Sequence, residues 1–138
     1  MAFTRTAGTV IAGAAVSLLL LTGCSAGQTK AEACLVLQKA LTEVSTVLTD
    51  NQAGLAGEDP TGAAATISDG AEDFAAETKK VTNEDVKPAA TEVATAITAM
   101  SDTFTEFAAD PANADPEVIS AAGQDAGDKI AAIGEVCQ

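Results

Sequence analysis

VKPAATEVATAITAMSDTFTEF, residues 86–107, places Val86, Ala90, Val93, Ile97, Met100, Phe104 and Phe107 at successive spacings of 4-3-4-3-4-3. That pattern keeps apolar side chains on one stripe of a helix with 3.6 residues per turn. A strand cannot present it, because strand side chains alternate between faces. A helix with one apolar stripe needs other elements to cover it. Pro88 is tolerated only near a helix start, so this helix begins at Asn83 or Glu84, or else at the proline itself. Glu84 and Asp85 then fall in the first turn, where the helix dipole favours negative charge.

The segments on either side show the same periodicity. Upstream, Asp59-Pro60 supplies a capping side chain and a residue suited to the first helical position. Ile67, Ala71, Phe74 and Val81 mark the inner face that follows, and Lys79 and Lys80 lie at the end that favours cations. Gly70 costs about 1 kcal/mol relative to alanine in a helix interior, so the first turns here are expected to be irregular. Downstream of the turn at residues 110–114, Asp115-Pro116 repeats the opening. Ile119, Ala122, Ala126, Ile130, Ile133 and Cys137 follow inward, with Asp125 and Lys129 spaced as an i,i+4 pair. Gly123 and Gly127 form a GxxxG outside any long apolar run, which points to close helix–helix approach and not to a membrane dimer. The first helix is expected from Lys30, with Cys34, Leu37, Leu41, Val44 and Leu48 inward, and residues 51–58 with their two glycines break it. Four amphipathic helices with short connections predict an all-α, up-down-up-down four-helix bundle over residues 30–138. Leu41, Phe74, Ile97 and Phe104 are expected in its alanine-rich core, and Lys39 on its surface.

Composition removes several kinds of chemistry. The chain has no histidine, tyrosine or tryptophan. Ser–His or Cys–His nucleophilic machinery and the usual zinc sites are thereby excluded. Carboxylate pairs such as Glu72/Asp73 and Asp125/Asp128 read as a solvated acidic face. Residues 110–117 offer oxygen ligands in a turn, but they lack the spacing and glycine of an EF-hand, and capping already accounts for Asp115. No phosphate-cradling glycine loop is present. The sequence therefore predicts no catalytic residue, no cofactor and no metal.

The chain begins MAFTRTAGTVIAGAAVSLLLLTGCSAG, residues 1–27. Arg5 precedes an apolar run from Val10 to Leu21, which is shorter than the ~20 residues that span a bilayer. A basic head, an apolar stretch and a small-residue site make a secretory signal. Leu21-Thr22-Gly23-Cys24 resembles the lipobox of bacterial lipoproteins. That resemblance implies cleavage after Gly23 and a diacylglyceryl group on the Cys24 thiol. Residues 1–23 would be the signal peptide, residues 24–29 a short lipidated tether, and the outer face of the cytoplasmic membrane the location. With its Ala/Thr/Gly/Asp-rich composition, the chain resembles small all-α lipoproteins of Gram-positive, actinobacterial bacteria. From Cys24 onward, six lysines against twenty acids leave a formal charge of −14. Such a surface repels nucleic-acid phosphates and anionic lipid head groups.

Export permits a disulfide, and with Cys24 acylated one pair of thiols remains, Cys34 and Cys137. Both fall on inward faces, one in the first turns of the first helix and the other at the end of the fourth. An up-down bundle brings those two ends to the same pole, so a structural disulfide is expected. A redox or metal-binding role has neither a C-x-x-C nor a histidine to support it. The functional expectation is a lipid-anchored, non-enzymatic domain that makes contact with a protein partner of unknown identity at the cell surface. The alternative is a carrier or sensor that holds a small apolar ligand within the bundle. The sequence leaves oligomeric state open.

Overall fold

A computed structural model describes residues 27–57 and 59–138. The protein is an all-α four-helix bundle of α1 (Lys30–Leu55), α2 (Pro60–Thr78), α3 (Lys87–Ala109) and α4 (Pro116–Val136). There is no strand among the described residues. Nor is any described helix long and apolar enough to cross a membrane.

Each helix start is written in its side chains. Thr29 caps α1 through a capping box: its hydroxyl accepts from Glu32 N at 3.2 Å, and its own N–H donates to Glu32 Oε2 at 2.8 Å. Asp59 and Asp115 cap α2 and α4, accepting from Gly62 N at 2.9 Å and Glu117 N at 2.8 Å, each with proline in the next position. The start of α3 follows the second alternative, within a residue of Pro88, and not Asn83 or Glu84. Residues 84–86 form a turn, Asn83 Oδ1 accepts from Asp85 N and Val86 N, and the helix proper begins at Lys87. Pro88 therefore lies in the first turn, where its missing N–H removes no helical hydrogen bond.

The break expected over residues 51–58 comes late in that stretch, after Leu55, and the irregular first turns expected of the Gly70 helix are absent. α1 continues through residues 51–55, helped by Asn51 Nδ2 donating to the Val47 carbonyl at 2.8 Å. α2 runs unbroken through Gly70. Gly54 and Gly70 both lie where α1 and α2 approach closely. A Cβ on Gly54 would stand 2.8 Å from Ala63 Cβ, and one on Gly70 would stand 3.0 Å from Val47 Cγ1. Glycine here trades helix propensity for short interhelical distance.

The core is built from Leu37 and Val44 of α1, Ile67 and Phe74 of α2, and Val93 and Ile97 of α3, all buried. Val81 is buried as expected but belongs to the turn after α2. Packing follows chain order, α1 on α2, α2 on α3 and α3 on α4, with a weak diagonal approach of α1 to α3. No Cα of α1 lies within 8 Å of a Cα of α4, so the ring of helices is open along one seam.

That opening accounts for most of the differences in burial. Leu41 and Phe104 are half-buried and Ile130 is 38% exposed, although all three occupy inward positions by periodicity. On α1 the buried line is Ala33, Leu37, Ala40 and Val44, while Cys34, Leu41 and Leu48 lie at its edge. On α4 only Ala126 and Ile133 are buried. Gly123 and Gly127 meet no neighbour within 4 Å of a built Cβ, so the GxxxG does not mark a close approach. Lys129 pairs across to Glu92 of α3 at 2.9 Å, and not with Asp125 on its own helix.

Candidate functional site

The start of α1 and the end of α4 meet at one pole of the bundle. Cys34, in the second turn of α1, is bonded to Cys137, the residue capping the end of α4, with Cα atoms 5.8 Å apart. Both cysteines are half-buried and pack against the cluster containing Ala33, Leu37 and Ile133. The disulfide closes a separation of 103 residues at the one end where α1 and α4 come together. Cys24, the residue of the lipobox, lies outside the described residues.

Gln28 plays a part that its place in a polar tether does not reveal. Its side-chain oxygen accepts from Thr82 N at 2.7 Å and, more weakly, from Asn83 N at 3.4 Å. Its backbone carbonyl accepts from Asn83 Nδ2 at 3.0 Å. The chain is thus fastened to the α2–α3 turn before α1 begins. A glutamine two residues before a helix leaves no periodic signal, and only the fold brings residue 28 beside residues 82 and 83.

Between α1 and α4 the open seam forms a groove of about 940 Å³. Leu35, Leu41, Ile130 and Ile133 supply its apolar surface, and the disulfide closes its end. Leu35 is 64% exposed. Thr42 and Thr46 line the α1 wall, but their hydroxyls donate back to the Gln38 and Thr42 carbonyls at 2.8 and 2.9 Å. Gly134 stands on the α4 wall with nothing within 4 Å of a built Cβ.

The ionisable groups are arranged differently. Glu72, Asp73, Asp125 and Asp128 are all exposed. Among the described residues no group of three or more His, Cys, Asp or Glu side chains is placed to hold a metal. In the turn between α3 and α4, Asp110 accepts from Asn113 Nδ2 at 2.9 Å while Asp115 caps α4, so both carboxylates already have partners. Glu32 and Lys129 titrate away from their ordinary values, each because of a structural contact. The Thr29 backbone N–H and hydroxyl hold Glu32 below the usual 4.5. The Glu92 carboxylate, as hydrogen-bond acceptor and as charge, raises Lys129 above 10.5.

Compared with protein-family models, with curated proteins and with solved structures, the chain matches none.

Proposed function

We propose that this protein is exported, cleaved before Cys24 and held at the outer face of the cytoplasmic membrane by acyl groups on that cysteine. There it acts by non-covalent contact and not by catalysis. The lipobox-like Leu21–Cys24 supports the anchor. The observation that carries the contact role is the composition of the groove, none of whose twelve lining residues is charged. General acid–base work needs a positioned, titratable side chain, and a charge-free cleft supplies none. An intramolecular disulfide fits the oxidising side of a membrane.

A second reading, a carrier or sensor for a small apolar ligand, is favoured by the same groove. The place for such a ligand is the α1–α4 seam, not the bundle interior, which Leu37, Ile67, Phe74 and Ile97 occupy.

Cell fractionation tests the anchor. The native chain is expected in the membrane fraction, and Cys24→Ala either in the soluble fraction or as an uncleaved precursor. Identical membrane retention and processing of the two chains would overturn the proposal.

A further inference from the structure

Packing of the four helices accounts for every apolar surface in the core, but it does not account for the α1–α4 groove. Of the three large apolar side chains exposed among the described residues, Leu35 and Ile130 lie there and Val118, at the start of α4, does not. Charged residues make up 20% of the chain and none of the groove lining. On the α4 wall Gly134 faces this opening with nothing within 4 Å of a built Cβ.

We propose that this groove binds the acyl chain of a neutral lipid drawn from the bilayer to which the domain is tethered. The source of that lipid rests on the anchor reading above; the existence of the site does not.

Four features select this occupant. The first is shape: the lining of α1 runs from Ala31 to Thr46, about 22 Å of helix at 1.5 Å per residue. The α4 wall runs only from Ile130 to Cys137, about 10 Å, so one stretch of an acyl chain lies between two walls and the remainder along α1 alone. The volume of about 940 Å³ lies within the ~300–1,000 Å³ range of small-ligand sites. The second is chemistry. With the Thr42 and Thr46 hydroxyls turned back onto the helix, their methyl groups join the leucines and isoleucines in an apolar wall. Gln38 and Ser45 add an amide and a hydroxyl that can bond a glycerol hydroxyl or an ester. The third is charge. Six lysines against twenty acids beyond the leader disfavour an anionic head group, so the ligand is neutral. The fourth is position, because Ala31, Cys34, Gly134 and Cys137 place one end of the groove at the pole where the chain leaves toward Cys24. A second copy of the chain fits less well, since twelve lining residues fall short of the ~20–30 per side in a stable protein interface.

The test uses the full chain, processed in cells, in phosphatidylcholine vesicles carrying a trace of diazirine-labelled monoacylglycerol. After irradiation the adducts are mapped by peptide mass spectrometry. Adducts are expected on residues 31–46 and 130–137. Gly134→Leu has room for its side chain and improves helix propensity, so the fold is retained while the groove is filled. It should lower adduct yield at least about tenfold, because a filled apolar site has no slack for a second occupant. Ala132→Leu, exposed and outside the groove, should leave the yield unchanged. Adducts spread evenly over the four helices, or untouched by Gly134→Leu, overturn the proposal. A dimer crosslinked through Ile130 in place of lipid adducts overturns it in favour of a second copy. Cys24→Ala separates the site from the anchor. With the same probe in solution its groove should still be labelled, even if the anchor reading fails, and no labelling there overturns the site. Labelling of Cys24→Ala but not of the acylated chain would make the protein's own anchor the occupant and overturn a bilayer source.

Discussion

Phe74 and Phe104 carry the same side chain at inward positions of adjacent helices, yet Phe74 is 2% exposed and Phe104 is half-buried. Periodicity identifies the face of a helix and is silent about whether a neighbour covers it. Phe74 is enclosed by α1 and α3, whereas Phe104 packs against the smaller cluster of Ala96, Met100 and Ala126 beside the open seam. Phe74→Ala should therefore cost ~3–5 kcal/mol in urea unfolding, and Phe104→Ala distinctly less. Equal losses would mean that the seam closes in solution. Ser101 makes the complementary case. It is 2% exposed, and its hydroxyl finds no hydrogen-bond partner among the described residues. Removing an unsatisfied buried hydroxyl relieves a desolvation penalty, so Ser101→Ala should hold or raise stability by about 1 kcal/mol. A loss of that size in the same urea series would instead assign the hydroxyl a bonding role.

The helices themselves were legible because their ends are encoded locally. Asp59-Pro60 and Asp115-Pro116 start α2 and α4 where the sequence places them, and the capping box of Thr29 and Glu32 starts α1. The glycines were not legible, because their meaning depends on what lies opposite. Gly54 and Gly70 permit contact between α1 and α2, while Gly123 and Gly127 face open space. Gly127→Ala should accordingly stabilise α4 by roughly 0.5–1 kcal/mol, read as a rise in melting temperature. Gly70→Ala should be destabilising, because the added Cβ meets Val47. The cap of α1 also gives a pH dependence with a definite sign. Glu32 titrates below its ordinary 4.5 in the folded protein, so in acid the unfolded chain binds the proton more readily. Its contribution is present above that value and is lost as pH falls through the folded one. Glu32→Gln should remove this part of the acid sensitivity, seen as a smaller difference from the native chain at acid pH than at neutral pH.

The assembly of the four helices was legible in outline and not in closure. Short connections and two inward cysteines at matching ends predicted the order of the helices and the disulfide between Cys34 and Cys137, and the structure shows both. The open seam was hidden because α4's pattern of Ile119, Ala122, Ala126, Ile130 and Ile133 reads like that of a fully enclosed helix. Only α3 packs along α4; on the α1 side the disulfide and the side chains around Ile133 hold one end. Cys137→Ser should therefore act unevenly. The lost loop constraint is worth up to ~4.7 kcal/mol in the chain-entropy model for a loop of about 100 residues. Hydrogen exchange should rise most in the last turns of α4, while α2 and the adjoining half of α3 stay protected. Uniform loss of protection across all four helices would contradict this account of how α4 is held.

The same pole gathers the disulfide, the Gln28 clasp and one end of the groove, and the proposed function depends on the chemistry of Cys24 upstream of it. An acylated Cys24 turns this arrangement into a membrane-facing surface, whereas an unmodified Cys24 leaves it without a bilayer to face. The most direct measurement is mass spectrometry of the N-terminal peptide from protein isolated from its own membranes. The account predicts a peptide that begins at Cys24 and carries the mass of a diacylglyceryl group. A peptide that extends upstream of residue 24, or one that begins there with an unmodified cysteine, would contradict it.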